Sequence, residues 1–335
     1  METPAGARSM AHSSIRLSPV AIPVAAFVAL AFLAMPAHAD EAAAHELLAR
    51  MATSLRSANY EGSFIYQHDG RTDALRIFHS GGTPERERLI SLTGARGEVV
   101  RDGTATVVVQ TGGMPTLFAS RAESQLLPLV PNVDGLGEEY AVATAGDERV
   151  AGYDARIVEI SPRDPYRYGY RLWLSKDNQL LLRSAVFDAA KRPLEQFMFV
   201  ALDVGTRPSE TDLVPSDDVA GAAAPSGEMP LATRPAWNIV DVPPGFRLVR
   251  AQQATGAAPE SEHLVYSDGV ASVSVYIEPH PLSSPVAVES GMKRGVLSVH
   301  SLDAAGVRVT ALGDVPPATV QAMARGVRSA TARTD

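Results

Sequence analysis

From Asn59 to Asp203 the chain is broken into short runs in which apolar and polar side chains alternate, each run closed by Gly, Asp, Asn or Pro. A period of two puts successive side chains on opposite sides of an extended strand, so the pattern demands antiparallel strands over a shared core. Strands are expected near 60–67, 74–79, 86–92, 97–101, 105–110, 114–118, 139–145, 153–160, 168–174, 180–187 and 195–203. The last of these are apolar on both faces. Leu180, Leu182 and Val186 alternate with Leu181, Ala185 and Phe187, and Phe197 and Phe199 alternate with Met198, Val200 and Leu202. Such a sheet must be covered on both sides. A curved sheet surrounding a plug or cavity satisfies this, and so does an ordinary two-layer core.

One helix precedes the strands. Ala44, Leu47, Leu48, Met51, Leu55 and Ala58 recur at helical spacing while Glu46, Arg50 and Arg56 face away, which gives one stripe to pack on a sheet. Between Gly205 and Pro235 the pattern collapses into Pro, Ser, Ala, Gly and Asp, a composition that buries little surface and predicts a linker. A smaller unit follows from Trp237. There, His263–Tyr266 and Val270–Ile277 flank Asp268-Gly269, which predicts a two-residue hairpin turn with Val273, Val275 and Ile277 facing the core. A short helix near 285–299, a strand near 307–312 and a terminal helix after Pro316-Pro317, carrying Val320, Met323, Ala324 and Val327, complete the expectation. The fold class is therefore α+β, mostly β. A large β domain is expected at 40–204, a linker at 205–235 and a small α+β domain at 236–335.

The first residues set the compartment. Arg8 and Arg16, the apolar stretch Val20–Met35 and the small-residue site Ala37-His38-Ala39 predict a secretory signal peptide over residues 1–39, cleaved after Ala39. That stretch is 16 residues, interrupted by Pro23, and falls short of the roughly 20 that span a bilayer. No transmembrane segment is expected in the mature chain. With no cysteine in the sequence, the mature protein has neither an acylated N-terminal cysteine nor disulfides. The leader carries a net charge of +1, so its removal takes the chain from −8 to about −9. An acidic surface argues against nucleic acid and anionic membrane as partners and favours basic ones.

A search for catalytic groups finds none. The sequence lacks a Gly-x-Ser-x-Gly elbow, and cysteine nucleophiles are impossible. The mature histidines, His45, His68, His79, His263, His280 and His300, never fall at His-Glu-x-x-His spacing, which leaves open only a zinc site built from distant residues. Glu138 and Glu139 are adjacent and would point to opposite faces of a strand; Asp217 and Asp218 lie in the linker. No enzyme activity, cofactor or metal is expected. The unusual stretch is Ser161–Leu174, where Arg163, Arg167 and Arg171 interleave with Tyr166, Tyr168, Tyr170 and Trp173. Planar groups of this kind make protein-binding hot spots, although a strand with a satisfied outer face has the same composition.

Several segments, in order, resemble one family. They are Ser57-Ala-Asn-Tyr-Glu-Gly-Ser-Phe64, Gly97-Glu-Val-Val-Arg101, Arg167-Tyr-Gly-Tyr-Arg-Leu-Trp-Leu174, Leu194-Glu-Gln-Phe197, Pro243-Pro-Gly-Phe246, His263-Leu-Val-Tyr-Ser-Asp-Gly269 and Val315-Pro-Pro-Ala-Thr-Val320. Together they resemble the RseB/MucB family of periplasmic sigma-E regulators. One departure is Arg96-Gly97, where the family often has paired arginines before Glu-Val-Val. The resemblance implies a large domain similar to the LolA and LolB lipoprotein carriers, an unclosed antiparallel β-barrel with helices, plus a smaller C-terminal domain. It implies binding to the periplasmic domain of a membrane anti-sigma factor, protection of that factor from proteolysis, and release by lipopolysaccharide or lipoprotein acyl chains. Phe64, Phe78, Trp173, Phe187 and Phe197 are then expected to line the lipid cavity, and Arg163 and Arg167 to contact the partner. A periplasmic carrier or chaperone of lipid-modified cargo is the alternative, and homo-oligomerisation is left open.

Overall fold

The computed structural model describes residues 37–103, 105–110, 127, 129–216, 222–223, 235–253, 261–279, 289–304 and 306–330. The leader up to residue 36, the strand expected at 114–118 and most of the expected linker lie outside the described residues.

The first helix, α1 (Ala37–Ser57), has Asp40 in its first turn and Arg56 in its last, charges that complement the helix dipole at each end. It leads into β1 (Tyr60–His68), β2 (Arg71–Ser80), β3 (Arg86–Ser91), β4 (Gly97–Asp102) and β5 (Ala105–Gln110). After the 3-10 turn Val133–Gly135 come β6 (Tyr140–Val150), β7 (Tyr153–Pro162), β8 (Gly169–Ser175), β9 (Leu181–Phe187) and β10 (Pro193–Val204). With the short β11 (Ala222–Ala223) these form one sheet in the order β11-β5-β4-β3-β2-β1-β10-β9-β8-β7-β6. All of its pairs are antiparallel, and its two end strands do not pair with each other, so it is an unclosed barrel.

The concave face carries the alternating set read from the sequence. Phe64 on β1 lies opposite Leu75 on β2 and Phe199 on β10. Ala44, Leu48, Met51 and Leu55 of α1 are fully buried in the same cluster, so the helix stripe fills the concavity. The helix can end close to the sheet because Gly81 has no side chain: a Cβ there would stand 2.1 Å from the Ser57 carbonyl oxygen.

Beyond β10 the chain does not leave the sheet at once. A 3-10 turn at Glu210–Leu213 buries Leu213, and Arg88 donates to Ser216 Oγ at 2.8 Å while pairing with Glu98 at 3.0 Å. The segment expected as linker is thus tied to β3 and β4 as far as Ser216.

The second sheet contains β13 (Arg247–Gln253), β14 (Glu262–Ser267), β15 (Ser272–Pro279), β16 (Glu289–Arg294), β17 (Leu297–Ala304) and β18 (Val307–Gly313), ordered β13-β14-β15-β18-β17-β16. One face is covered by α2 (Pro317–Arg325), with Val273, Val275 and Ile277 fully buried beneath Val320 and Met323. A small pair, β12 (Trp237–Ile239) with β19 (Val327–Ser329), closes one end.

Three expectations are corrected here. The stretch expected as a helix near 285–299 is, from Glu289 onward, the edge hairpin β16–β17 turned at Gly295-Val296. Every residue of β16 is exposed, so it offers no apolar stripe for a helix to bury, and pairing to β17 takes over. The Asp268-Gly269 turn is a four-residue loop, because the ladder ends at Ser267 opposite Ser272. Asp268 Oδ1 accepts the N–H groups of Val270 at 2.9 Å and Ala271 at 2.7 Å, which stabilises the wider turn. Val327 belongs to β19, since α2 stops at Arg325 and Gly326 caps it.

Two experiments follow from this packing. Leu48→Ala removes a fully buried side chain from the concave core and should cost about 2–5 kcal/mol, read as a lower midpoint in urea unfolding. In the second sheet His263 stacks on Tyr276 with ring centroids 4.2 Å apart, and neither ring nitrogen has a partner among the described residues. Burial, and secondarily the Arg250 charge, holds its imidazole below the usual histidine range. The folded state therefore binds fewer protons than the unfolded one. Stability is full above the unfolded value of about 6.5 and is lost as pH falls through the folded value. Unfolding followed from about pH 7 to about pH 5 should show this loss, and His263→Phe should flatten it.

Candidate functional site at the junction of the two sheets

The junction is built from the segment after β7. Asp164 Oδ1 accepts the Tyr166 N–H at 2.9 Å, forming a turn from which Arg167 enters the interior with its side chain fully buried. Its Nε donates to Asp268 Oδ2 at 2.5 Å, Nη1 to Asp164 and Nη2 to the Pro244 carbonyl. The guanidinium lies over the Phe246 ring at 4.9 Å and the Tyr140 ring at 5.7 Å. Tyr140 donates its hydroxyl to the same Asp268 oxygen at 2.8 Å. Asp268 therefore accepts two side-chain donors from the first sheet and two backbone donors from its own loop.

Burial opposes the charge on Arg167, but the bond and field of Asp268, with Asp164 beside it, outweigh burial and raise its pKa. Burial first, and Asp268 second, push the Tyr140 hydroxyl far above its ordinary value, so it stays a donor. Backbones also touch: a Cβ on Gly135 would stand 2.2 Å from the Gly269 carbonyl oxygen, and Gly269 itself has φ 97°. Thr319 of α2 adds a hydrogen bond to the Tyr166 carbonyl at 2.8 Å.

A second contact lies at the tip of β16–β17. Val296 is buried within the first sheet's core, and its N–H donates to Glu195 Oε1 at 2.9 Å. The other oxygen of Glu195 takes the Tyr66 hydroxyl at 2.5 Å. Arg294 pairs with Asp69 at 2.8 Å on the rim. Magnitudes separate the roles: burying a valine contributes about 1.5–3 kcal/mol, whereas a buried ion pair is near neutral against an apolar replacement. Val296 supplies adhesion, and Arg167 with Asp268 sets the register.

Of the residues expected to line a cavity, Phe64 and Phe197 come together. They meet edge to face at 5.7 Å in the concave core, with Phe199 beside them. Phe78, Trp173 and Phe187 lie on the opposite face of the sheet, under the guanidinium groups of Arg76 at 4.8 Å, Arg183 at 4.2 Å and Arg171 at 5.4 Å. Those arginines pair in turn with Glu61, Glu148 and Glu159. This is how strands apolar on both faces are covered on both: α1 inside, arginine side chains outside.

Arg167 is committed to the junction, while Arg163 is more than half exposed and 3.8 Å from Glu41. It edges an open cleft of about 540 Å³ lined also by His45, Leu136, Gly137, Glu138 and Tyr140. Tyr140, Glu195 and Val296 carry no signal of a site in the sequence, and Asp268 signals only a turn.

One cluster has the residue types of a metal site. Ligand atoms of His79, Glu85 and Glu87 lie within 4.8 Å of one another. Arg101 already bridges the two carboxylates at 2.6 and 2.7 Å, and His79 Nδ1 donates to the Ala58 carbonyl at 2.7 Å. A guanidinium holds the place a cation would take.

The fold and junction define a binding protein of two parts: an unclosed antiparallel barrel whose concave core includes α1, Leu127, Leu129 and Val296, and a smaller sheet-and-helix body docked on its rim. Residues 43–217 match the MucB/RseB N-terminal domain and residues 232–328 the MucB/RseB C-terminal domain, so the chain belongs to the MucB/RseB family. The sigma factor AlgU regulatory protein MucB of Pseudomonas aeruginosa is 34% identical over 308 residues, covering 88% of this chain and 94% of that protein. The sigma-E factor regulatory protein RseB of Escherichia coli K12 is 25% identical, covering 86% and 91%. The solved complex of Pseudomonas aeruginosa MucA/MucB matches with a TM-score of 0.71 at 30% identity, over 87% of this chain and 100% of that one. Among the described residues no helix is long and apolar enough to cross a membrane.

The junction gives a direct test. Arg167→Met leaves the buried Asp268 carboxylate without its counter-charge and should cost about 3–5 kcal/mol; Asp268→Leu leaves Arg167 with Asp164 as its remaining carboxylate and should cost less, with the double variant recovering part of the single-variant loss. Urea unfolding of the four proteins of this cycle reads the coupling.

Proposed function

We propose that residues 1–39 direct the chain to the periplasm and are removed there, and that the mature protein is a negative regulator of the sigma-E envelope-stress response. It binds the periplasmic part of a membrane anti-sigma factor, shields it from proteolysis, and lets go when lipopolysaccharide or lipoprotein acyl chains bind. The observation that carries this reading is the likeness to MucB over 94% of that protein's length, together with a structure of MucB in complex with the periplasmic region of MucA.

In this reading the parts that work against each other are 40–204 and 236–335, joined by 205–235. A releasing ligand must bind one arrangement better than the other, since equal affinity shifts nothing. The concave face supplies a reason for such a difference: an acyl chain reaching Phe64 and Phe197 competes with the α1 stripe packed over them. The same face favours a second reading, a carrier of lipid-modified cargo, which needs no anti-sigma partner. The protein acts by binding in either case.

A pull-down separates the two. The mature chain should retain the anti-sigma periplasmic domain of its own bacterium in buffer and release it when lipopolysaccharide is added. Failure to retain it under both conditions would overturn the regulator and leave the carrier.

A further inference from the structure

Among the described residues the second sheet ends at β13 on one side and at β16 on the other. The ladder of β13 is broken by a bulge between Leu248 and Arg250, a device that spoils an edge for further pairing. β16 has no such break: its residues pair in unbroken register with β17, and all of them are exposed. Arg294 faces Leu297 across the two-residue turn Gly295-Val296, where Gly295 has φ 57°. The pair that closes such a turn exchanges both backbone hydrogen bonds, and bonded and non-bonded positions then alternate along the strand. Arg294, Met292 and Ser290 therefore spend their backbone groups on β17, while Lys293, Gly291 and Glu289 turn theirs outward.

One buried side chain is aimed at this edge. His300 of β17 lies opposite Gly291, is 4% exposed, and has no hydrogen-bond partner for either ring nitrogen among the described residues. Glu289 Oε2 stands 3.9 Å from Nε2, beyond hydrogen-bond reach, and is held by Arg325 at 2.8 Å. Nδ1 is turned to Gly291, where a Cβ would stand 3.6 Å away. Only a residue without a side chain thus separates this nitrogen from the open edge. Buried polar groups are as a rule paired, and the place for the missing partner is over Gly291. Beside it Lys293 is exposed with no carboxylate partner among the described residues, and on the other face of the strand Met292 is 59% exposed.

We propose that β16 receives an extended segment of the anti-sigma partner as an added antiparallel strand, with Asn, Ser or Thr opposite Gly291 completing the bonding of His300. Residues opposite one another in an antiparallel ladder share a face, so a side chain at that position leans over Gly291 toward Nδ1. An amide or a hydroxyl serves because it both gives and takes hydrogen bonds. An acidic residue opposite Lys293 and an apolar one opposite Met292 complete the pattern, which reads acid, apolar, Asn/Ser/Thr from N to C. A second copy of this chain does not supply it. When β16 pairs with itself so that the copy's Glu289 meets Lys293, glycine meets glycine at 291 and His300 stays unpaired. The inference rests on the regulator reading, to which it adds the edge that grips the partner and the pattern gripped.

The test uses the whole mature chain and the end-capped, fluorescently labelled peptide Thr-Glu-Val-Asn-Thr-Thr, titrated by anisotropy against the same peptide with Gly in place of Asn or Lys in place of Glu. The Asn peptide should bind about tenfold tighter than the Gly peptide and slow amide exchange at Gly291 and Lys293. Gly291→Pro removes only an outward N–H, a change that edge strands accept, and should abolish binding with an unchanged melting temperature. His300→Leu should make the Asn and Gly peptides equal. Lys293→Glu, at an exposed position, should reverse the preference between the Glu and Lys peptides and serves if His300→Leu does not fold. No binding by the wild type, equal binding of its Asn and Gly peptides, or full binding by Gly291→Pro would each overturn the proposal. So would a wild-type dimer that Gly291→Pro turns into a monomer, since the edge would then belong to a second copy. Retention of the anti-sigma domain is measured on the wild type and on Gly291→Pro. Equal retention sinks the edge and leaves the regulator standing. Peptide binding without any retention by the wild type sinks the regulator and leaves β16 as a strand-binding edge.

Discussion

A buried guanidinium must find acceptors for all its donors, and the arrangement of this molecule follows from where Arg167 finds them. The first sheet offers Asp164 from its own turn. The rest come from the second body: Asp268 and the Pro244 carbonyl. Neither body satisfies Arg167 alone, so docking is specified by buried donors that would otherwise lack acceptors. Apolar contact could hold the bodies together in many registers. One planar fork against one carboxylate, beside two glycines that allow the backbones to touch, selects one.

The same economy appears on the first sheet, whose central strands are apolar on both faces. A second sheet or further helices would cover such strands in many folds. Here α1 covers the concave side, and the convex side is closed by arginine stems and guanidinium planes laid over Phe78, Trp173 and Phe187, each arginine balanced by a carboxylate. The convex face is consequently polar in charge and apolar in depth. The concave face keeps Phe64, Phe197 and Phe199 in one cluster with the α1 stripe, Leu127, Leu129 and Val296, so for that face to receive anything else part of this filling would have to move.

Much of this was legible in the sequence because period-two alternation and turn residues are local signals. Among the described residues, the strands between Tyr60 and Val204 and the stripe of α1 lie within a few residues of the sequence expectation; the strand expected at 114–118 falls outside them. The errors share a cause. The hairpin β16–β17 carries a weak alternation, since β16 is exposed throughout, and β18, which completes its pairing, follows it in the chain. The Asp268 loop was given the wrong length because its geometry answers to a carboxylate that caps two amides and also faces Arg167, a residue 101 positions away. Arg167 itself stood out by composition, but composition could not distinguish an arginine offered to a partner from one spent inside. Conversely, Phe64 and Phe197 were separable from Phe78, Trp173 and Phe187 only once register assigned each to a face.

The division of labour at the junction then bears on how such a protein can be switched. Val296 contributes apolar adhesion at one contact, and the Asp268 loop contributes register at the other, so the bodies are held at two points with different chemistry. Weakening the polar contact frees orientation without freeing the plug, whereas displacing the plug costs buried apolar area and exposes Glu195. A signal that acts gently should therefore act on the polar side. The parts of the first body that reach it are the turn carrying Arg167 and the loop Leu136–Tyr140, both of which border the open cleft through Arg163 and Glu138.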